Sequence, residues 1–397
     1  MKVCVVYKED YPWDVRVEKI VDTLAAHGYD VTLVARNTER RPTNEKVGAV
    51  TVRRLPALPE IFGRLNNAAS FPFFFNPLWL YEIFAALWQT RAPVVIVRDL
   101  PLMPAAILIA RVLGRRVVFD MAECYPMMYA STLRFSERRL GRYLLKNPTL
   151  AALIERLSVR YADHVLVMVE ESRDRLLRMG VAAANVTIVS NTPRLRLPAA
   201  RRLHAQGDVL RLVYVGFITR IRGIDNALRG LAEYAASGGD RPAVELHVVG
   251  KGAALPECRA LAEQLGIAPL VQFHGWCHQE FVNDLYAQSD IGVLTYRVCD
   301  HWNHTIPNKL FDYMYLGIPV LSTNVRPIRR IVDEVGCGLI CTDDDARSFA
   351  DCLGRLADPQ VRQTMGGCGF DAVRSRYNWG ADSARLLKVI QTLRPAA

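Results

Sequence analysis

One stretch in the last quarter of the chain joins a helical apolar pattern to a short, continuously apolar run. Leu310, Met314 and Gly317 recur at i, i+4 and i+7, which predicts a helix with one face packed on a sheet. Pro307 suits the start of this helix, because its fixed φ is already helical and its missing N–H would have no intrahelical partner. The run 318–323, IPVLST, is typical of a strand buried in a parallel sheet.

Strand-like and helix-like patterns alternate along the rest of the chain. Short apolar runs separated by amphipathic segments predict an α/β fold, because parallel strands need helical crossovers between them. A polar, small-residue stretch at 198–208 predicts a linker between two domains, 1–197 and 208–377. The predicted strands are 2–7, 94–97, 116–120 and 164–169 before this stretch, and 209–216, 244–249 and 270–275 after it.

Charge and cysteine usage narrow the class of protein. The net charge is +10, and residues 1–200 hold 28 Lys+Arg against 19 Asp+Glu, so 28 − 19 = +9 of it lies in this half. Such an asymmetry is compatible with an anionic membrane, an anionic lipid-linked acceptor or nucleic acid as a partner. The nine cysteines form no CxxC pair and no zinc-like spacing, which argues against a bound metal and suits a reducing cytosol.

Polar side chains gather over the first turn of the predicted helix. Asn308 and Asp312 lie four residues apart on one face, and Lys309 stands beside them. The N–H groups of a helix start and a nearby cation form a natural anion site, and a carboxylate one turn later can bind a ribose diol. The alternative is an ordinary α/β unit in which Asp312 is merely solvated.

The residues around this helix resemble the signature of the GT4 family of retaining glycosyltransferases, which have the GT-B fold. In that family two acidic residues stand eight positions apart, and the helix ends in Gly-x-Pro-Val. Asp312 matches the second acid and residues 317–320, GIPV, match the end, but His304 stands in the place of the first acid. The resemblance implies two Rossmann-like, doubly wound domains facing across a cleft, with the final helix, 378–397, crossing back onto the first.

The same resemblance implies a donor site in the C-terminal domain. Relatives hold the donor diphosphate with an arginine and a lysine after the first strand; here Phe217 replaces the arginine and Arg222 the lysine. Arg220 is an extra cation that can substitute, because a guanidinium donates parallel hydrogen bonds to phosphate. The alternative is that both loop arginines face water. The expected donor-binding residues are Gly216, Arg220, Arg222, Gly250, Lys251, Trp276, Pro307, Asn308, Lys309, Leu310 and Asp312.

Candidates for the reacting centre lie at strand ends in the N-terminal half. Asp99 and Glu123 follow predicted strands, where open α/β sheets place their ligands, and Ala122 stands where relatives often have a histidine. The alternative for both acids is a helix N-cap. The resemblance implies Glu123, Asp99 and His304 as catalytic residues, with His304 contacting the donor sugar or a phosphate. The expected acceptor contacts are Arg16, unless it is merely solvated, and Arg98.

The resemblance implies transfer of a sugar from a UDP- or GDP-sugar to a saccharide or lipid-linked saccharide, with retention at the anomeric carbon, as in bacterial surface polysaccharide biosynthesis. No metal is expected, because loop cations and a helix N-terminus can stabilise the leaving diphosphate. The resemblance also implies no cofactor and no nucleic-acid partner. Two alternatives stay open. One is a nucleotide-sugar epimerase with the same fold, and the other is a non-catalytic partner subunit, which the residues at 122, 217 and 304 favour.

Residues 71–88, FPFFFNPLWLYEIFAALW, are the most apolar run of the chain. Two prolines, Asn76 and Glu82 interrupt it, so it falls short of a membrane-spanning helix. We expect either a surface helix that contacts a bilayer or a buried or interdomain helix. The chain start has no signal-peptide pattern, which predicts a cytoplasmic protein, and contact with the inner face of the cell membrane stays open. A basic stretch, which is either an acceptor-facing surface or a solvated helix face, comprises Arg138, Arg139, Arg142 and Lys146.

Overall fold

The computed structural model describes residues 1–12, 14–57, 59, 63–134, 146–195, 209–238 and 242–393, with the backbone alone at 63–65. They form two compact units, and each is described by itself. As far as they are described, Met1–Ala130, Arg138–Asn191 and Asp382–Ala397 form the first unit, and Ser131–Glu137 and Thr192–Ala381 form the second. The predicted linker at 198–208 and the arginines Arg138, Arg139 and Arg142 lie outside the described residues.

A largely parallel sheet of eight strands forms the centre of the described part of the first unit. Its members are β1 (Lys2–Tyr7), β2 (Asp30–Ala35), β3 (Asn44–Val47), β4 (Val50–Arg54), β5 (Val94–Arg98), β6 (Arg116–Met121), β7 (His164–Val167) and β8 (Val186–Ile188). They lie in the order β3-β4-β2-β1-β5-β6-β7-β8, and only the edge pair β3–β4 is antiparallel. The middle strands are buried on both faces, as their continuous apolar runs predict.

The helices of this part of the chain are α1 (Val15–Ala26), α2 (Gly63–Ala69), α3 (Pro77–Thr90), α4 (Met103–Val112), α5 (Tyr125–Arg134), α6 (Pro148–Tyr161) and α7 (Glu170–Arg178). The crossover from β1 to β2 runs in one direction along the sheet. The crossover from β4 to β5, and each later one from a strand to the next up to β8, runs in the opposite direction. Because such crossovers are right-handed, α1 covers one face, and α3, α4, α6 and α7 cover the opposite face.

The second unit contains a parallel sheet of six described strands. They are β9 (Val209–Val215), β10 (Ala243–Val249), β11 (Val271–Gly275), β12 (Ile291–Leu294), β13 (Val320–Thr323) and β14 (Gly338–Cys341). Their order is β11-β10-β9-β12-β13-β14, with every pair parallel. The helices are α8 (Ile224–Ala236), α9 (Leu255–Gln264), α10 (Gln279–Gln288), α11 (Asn308–Tyr315), α12 (Arg326–Val335), α13 (Ala346–Leu356) and α14 (Pro359–Ser375). The last helix, α15 (Trp379–Thr392), begins in this unit and belongs to the first unit from Asp382 onward.

Helix α11 forms where the apolar spacing predicts it. Leu310 and Met314 are fully buried, and Gly317 takes the left-handed conformation (φ 69°) that ends the helix before β13. Pro307 is the N-cap, with φ −73° and ψ 134°, rather than the first helical residue. The predicted fold class, α/β with two doubly wound sheets, is confirmed, whereas the boundaries at 197, 208 and 377 stay predictions.

The apolar run 71–88 forms the entry to α3 and most of that helix. Asn76 is its N-cap, and the side chain accepts a hydrogen bond from the Leu78 N–H. Trp79 is fully buried and donates through Nε1 to the carbonyl oxygen of Ser70 (3.1 Å). No helix among the described residues is long and apolar enough to cross a membrane. One face of α3 packs into the core, and the opposite face carries exposed aromatic side chains.

Candidate functional site

Three strand ends of the second unit meet in a floor that consists of backbone. The Gly216 N–H donates to the carbonyl oxygen of Val249 (2.9 Å), and the Gly250 N–H donates to that of Gly275 (2.7 Å). A Cβ on Gly250 would lie 1.8 Å from the carbonyl oxygen of Gly216, and φ at Gly250 is 143°. Only glycine fits such a position. The loops after β9, β10 and β11 thus approach each other without side chains between them.

A cavity of about 420 Å³ opens over this floor, a size that suits a small-molecule ligand. Lys251 and Lys309 line it, and so does Trp276, whose ring is 70% exposed. The Nζ atom of Lys251 lies 5.1 Å from the centroid of the Trp276 indole, within the range of a cation–π contact. The predicted residues Gly216, Gly250, Lys251, Trp276 and Lys309 therefore come together in one cavity.

Arg222 borders the same floor and lies among aromatic rings. The centre of its guanidinium is 5.8 Å from the ring of Phe217, 5.6 Å from that of Tyr296 and 5.5 Å from that of Trp302. Its Nη1 donates to the Tyr296 hydroxyl (3.3 Å) and lies 3.3 Å from the place of a Cβ on Gly216. Aromatic faces attract the cation without neutralising its charge. Phe217, which replaces the arginine found in relatives, thus helps to position the neighbouring Arg222.

Arg220 does not reach this cavity. Its Nε and Nη2 donate to the Glu257 carboxylate at 3.0 and 2.9 Å, and both side chains are about half exposed. The pair lines a separate cavity of about 740 Å³, where Arg297 is paired with Asp225 and Asp344. Arg220 and Arg297 both have carboxylate partners, whereas Lys251 in the smaller cavity lies over an indole ring, so the smaller cavity suits an anion better despite its size. The expectation that Arg220 substitutes for the missing arginine is not supported.

The start of α11 supplies a second charged pair. Lys309 Nζ lies 3.0 Å from Asp312 Oδ2, and each side chain is about one-third exposed. Burial disfavours the ammonium, but Asp312 and Tyr286 outweigh it and raise the pKa of Lys309 above its usual range. Lys309 is therefore charged at neutral pH.

Of the other predicted residues at this helix start, Asn308 is exposed and Pro307 is buried.

The side chain of Leu310 points into the core, so the predicted donor contact of this residue would involve its backbone at the helix start and stays a prediction. The side chain is fully buried in the core, and its N–H donates to the carbonyl oxygen of Pro307 (3.2 Å). Its apolar character and its place in the helical pattern already require this burial. The residue contributes packing beneath the site.

His304, in the place of the expected acid, lies in the 3₁₀ turn Trp302–His304 and is buried. Its Nδ1 is 2.8 Å from the carbonyl oxygen of Asp300, so this nitrogen carries a proton and donates. His301 is also buried; burial, Arg222 and His304 lower its pKa to about 4. This end of the site therefore presents imidazoles, of which His301 is neutral at physiological pH.

Arg16 in the first unit is neither solvated nor open to an acceptor. Its Nε lies 3.0 Å from both Asp120 carboxylate oxygens, and Nη1 donates to the carbonyl oxygen of Val189 (2.7 Å). Arg16 is 1% exposed and Asp120 is 0% exposed. The interpretation of Arg16 as solvated is therefore wrong. The predicted acceptor contact stays a prediction that this burial does not favour, because the hydrogen-bonding groups face buried partners from β6 and the loop after β8.

Arg98 and Asp99 lie next to this pair, at the carboxyl end of β5. Arg98 Nη1 donates to Asp99 Oδ1 (2.7 Å), and its other nitrogens approach Asp14 and Asp120 at 3.4 and 3.7 Å. Asp99 has φ 70°, which is costly for a residue other than glycine. Burial raises the pKa of Asp99, and Arg98 opposes that rise. Asp99 occupies the N-cap position of the 3₁₀ turn Leu100–Leu102, as the alternative expects, but its carboxylate makes no capping hydrogen bond there.

Glu123 follows β6 in the same region and is partly buried. It lies close enough to Tyr125 to raise the pKa of that phenol, although burial is the larger cause. Ala122, in the place of the family's histidine, is buried. The first unit thus brings Arg98, Asp99 and Glu123 to one edge of its sheet. In the part of the chain that the structure describes, no three His, Cys, Asp or Glu residues are grouped so that they could hold a metal.

Known protein families match both units. Residues 14–192 match the model described as glycosyl transferase 4-like domain, and residues 209–358 match the model described as glycosyl transferases group 1. The chain belongs to the group 1, GT4-like glycosyltransferases. One relative of this glycosyltransferase is the D-inositol 3-phosphate glycosyltransferase of Thermomonospora curvata, 28% identical over 265 residues. That alignment covers 61% of this chain and 60% of the relative, so the chain spans less than two thirds of it.

Solved structures show the same fold at low sequence identity. Sucrose-phosphate synthase from Thermosynechococcus elongatus has a TM-score of 0.73 at 19% identity, over 99% of this chain and 98% of that one. Anabaena HepE in complex with UDP-glucose has a TM-score of 0.68 at 14% identity, over 99% and 100% of the two chains. The glycosyltransferase is therefore similar in fold to GT-B proteins.

The sequence did not identify every residue that shapes the site of this glycosyltransferase. Tyr296 and Trp302, which hold Arg222, stand in the segment between β12 and α11. Their aromatic character close to the missing acid is the signal that could have found them. No pattern in the sequence links either ring to the arginine more than 70 residues earlier.

Proposed function

We propose that this chain is a retaining glycosyltransferase that moves a sugar from a nucleoside diphosphate sugar to a hydroxyl of a saccharide or lipid-linked saccharide. The observation that carries the proposal is the placement of Arg222, Lys251 and Lys309 around a floor of glycine backbone. Three cations around a floor without side chains suit a diphosphate. The Anabaena HepE structure, which holds UDP-glucose, favours UDP over GDP.

Each part of the donor has a proposed contact in the second unit. Negative charge grows on the leaving diphosphate as the glycosidic bond breaks, and Arg222 stabilises it without reorganising, since aromatic rings already position the guanidinium. Asp312 accepts hydrogen bonds from the ribose hydroxyls, and Trp276 lies beside the base. His304 contacts the donor sugar or a phosphate.

The reaction proceeds with retention, and no enzyme nucleophile is assigned. The acceptor hydroxyl attacks on the same side as the leaving group, and Arg98, Asp99 and Glu123 at the sheet edge of the first unit serve the acceptor and the reacting centre. No metal ion takes part, and EDTA should leave the rate unchanged. Activity that vanishes with EDTA and returns with Mn²⁺ would contradict this part of the proposal.

The proposed acceptor is an intermediate of surface polysaccharide biosynthesis, at the cytoplasmic face of a bacterial membrane. The basic first half of the chain and the apolar run 71–88 support a lipid-linked acceptor. Residues 1–197 form the acceptor domain and residues 208–377 the donor domain, with the last helix completing the first. All the donor candidates belong to the second unit, which supports this division.

A thermal-shift panel of UDP-, GDP- and CMP-sugars tests the donor class. A ligand that binds only the folded protein stabilises it, by about 2.7 kcal/mol when the ligand concentration is a hundred times Kd. The unfolding temperature therefore rises. We expect UDP-sugars to give the largest shift, and a panel without any shift would refute the donor site. Product analysis with and without acceptor then separates a transferase from an epimerase, and binding without turnover would identify a partner subunit.

A further inference from the structure

Three helices on one face of the first sheet carry apolar side chains on their outer surfaces. On α3, Tyr81, Phe84 and Trp88 are exposed at spacings of three and four residues, and the rings of Phe84 and Trp88 stack with centroids 5.8 Å apart. On α4 the exposed residues are Leu108 and Val112. On α6 they are Leu150, Leu153, Leu157 and Tyr161. Each set follows the helical period and forms one stripe.

The three stripes form a continuous surface because their helices pack side by side. Helix α3 packs on α4, and α4 packs on α6. The opposite face of each helix already supplies the core, for example through Trp79, Ala106 and Val159. The outer residues are therefore not needed for the core, and their large apolar area calls for another partner. We name Tyr81, Phe84, Trp88, Leu108, Val112, Leu150, Leu153, Leu157 and Tyr161 the outer apolar face.

The described part of the second unit has no comparable surface. Its large exposed apolar residues are Leu195, Phe217, Trp276 and Phe281. Two of these, Phe217 and Trp276, line the donor cavity. Scattered apolar residues are normal on a protein surface, whereas three parallel stripes are not.

The exposed charges on the three helices that carry the outer apolar face are of one sign, whereas the neighbouring α7 also carries acids such as Asp174. The described residues of α3, α4 and α6 include two acids, Glu82 and Glu155, and both are buried. Glu82 pairs with Arg53 at 3.2 Å, and Glu155 pairs with Arg175. The exposed charged side chains on these helices and just after α3 are arginines: Arg91, Arg111, Arg156 and Arg160. A surface that is apolar in the middle and basic around it complements anionic lipid.

The aromatic and basic groups are arranged along the helices. Helices that join parallel strands run antiparallel to them, so Arg91 and Arg160 lie at the amino edge of the sheet. Phe71, Phe73 and Phe75 precede α3 and lie toward the carboxyl edge, and all three are about half exposed. The guanidinium carbon of Arg160 lies 6.0 Å from the ring centroid of Tyr161, so a charge and an aromatic ring stand together at the amino edge.

We propose that the outer apolar face docks this protein on an anionic lipid bilayer, with the aromatic side chains at the headgroup boundary and the arginines against lipid phosphates. The proposal names the membrane partner of the function proposed above and rests on that function only in this respect. A second copy of the chain is a poorer occupant. In a two-fold interface the face would meet itself, and arginines would oppose arginines without an exposed carboxylate on these helices to pair with.

Vesicle sedimentation of the full chain tests the proposal. We expect binding to phosphatidylcholine vesicles that contain phosphatidylglycerol, and much weaker binding to phosphatidylcholine alone. Tyr81→Ser/Phe84→Ser/Trp88→Ser should weaken partitioning by about tenfold or more for each aromatic group lost. Arg156→Glu/Arg160→Glu should weaken it by at least about 25-fold, because each basic residue near an anionic surface contributes about fivefold.

Arg347→Glu/Arg355→Glu on α13 is the matched control, since it makes the same charge change at exposed positions of the second unit. It should bind vesicles like the unchanged protein. Equal binding to both vesicle types, or undiminished binding by the serine variant, would overturn the proposal. So would a dimer seen by light scattering that the serine variant abolishes. UDP-sugar thermal shifts of every variant report the donor site separately, so failure of one proposal is distinguishable from failure of the other.

Discussion

Strand ends carry charged groups in both units, but the two sheets use them differently. In the first unit Arg16 and Arg98 contact Asp14, Asp99 and Asp120, and their charges are compensated within the protein. In the second unit Arg222 lies against aromatic rings and Lys251 lies over Trp276. Two largely parallel sheets thus carry different sites at their carboxyl ends: a closed ionic network in the first unit and a cationic cavity in the second.

The comparison shows that the partner of an arginine, rather than its place at a strand end, decides its role. A carboxylate partner neutralises the guanidinium and, when buried, makes it part of the structure. An aromatic partner restricts its position and keeps its charge available for an anion. Arg16 and Arg222 represent these two cases.

The largest expected effect is on folding, at the closed network. Asp120→Ala leaves Arg16 buried without its carboxylate, which should lower the free energy of unfolding by about 3–5 kcal/mol. Urea denaturation measures this loss. The double variant Arg16→Met/Asp120→Leu is the control, because replacing both charges by apolar groups should cost clearly less. A single variant within about 1 kcal/mol of the original protein would mean that the pair is not a structural one.

The next effect concerns turnover at the cationic cavity. Arg222→Ala should lower kcat/KM by about 10²–10³-fold, since it removes a preorganised group that stabilises the leaving diphosphate. Arg220→Ala, two residues away, should lower it by no more than about fivefold, because an exposed ion pair contributes little. Steady-state kinetics on the two variants decide between them. A larger loss for Arg220→Ala would reverse our assignment of the two arginines.

His301 predicts how the cationic region responds to pH. Burial, Arg222 and His304 lower its pKa from 6.5 to about 4. Between these two pH values His301 is therefore neutral in the folded protein and protonated in the unfolded chain. Stability should therefore decrease as pH falls toward 4, with a loss of about 2 kcal/mol between pH 7 and pH 5. Denaturation curves of His301→Gln should lack this component. Parallel pH profiles for both proteins would contradict the prediction.

The smallest effect concerns the carboxylate of α11. Asp312→Asn should weaken UDP binding about tenfold, because hydrogen bonds from the ribose to a charged acceptor are replaced by weaker ones. Isothermal titration calorimetry measures the change. Asp333→Asn on α12, an exposed acid paired with Arg329, is the matched control and should leave affinity unchanged. Equal affinities for all three proteins would remove Asp312 from the donor site.

Much of the fold was predictable from sequence because it depends on local patterns. The helix at 308–315 and the strand at 320–323 follow from apolar periodicity and from Gly317, which the chain needs for a left-handed turn. The same periodicity predicts the burial of the Leu310 side chain, so a donor contact by this residue can come only from its backbone.

The roles of individual arginines were not predictable, since they depend on residues far away in the chain. Arg16 meets Asp120, which is 104 residues later, and Arg220 meets Glu257, 37 residues later. Arg220 and Arg222 stand two positions apart in one tight turn, so their side chains diverge. Sequence spacing alone cannot show which of them faces the cavity.

The glycine floor has a consequence for how the donor preference of such a protein can change. The loops after β9, β10 and β11 are joined by backbone hydrogen bonds, including Ile218 N–H to Lys251 O at 3.0 Å, and none of these bonds depends on a side chain. Phe217 and Trp276 stand exposed at the rim of the floor. Substitutions at the rim can therefore accumulate over evolution while the glycine floor keeps its shape. Under the proposed function, selectivity for the base or the sugar can then change without loss of the proposed diphosphate site.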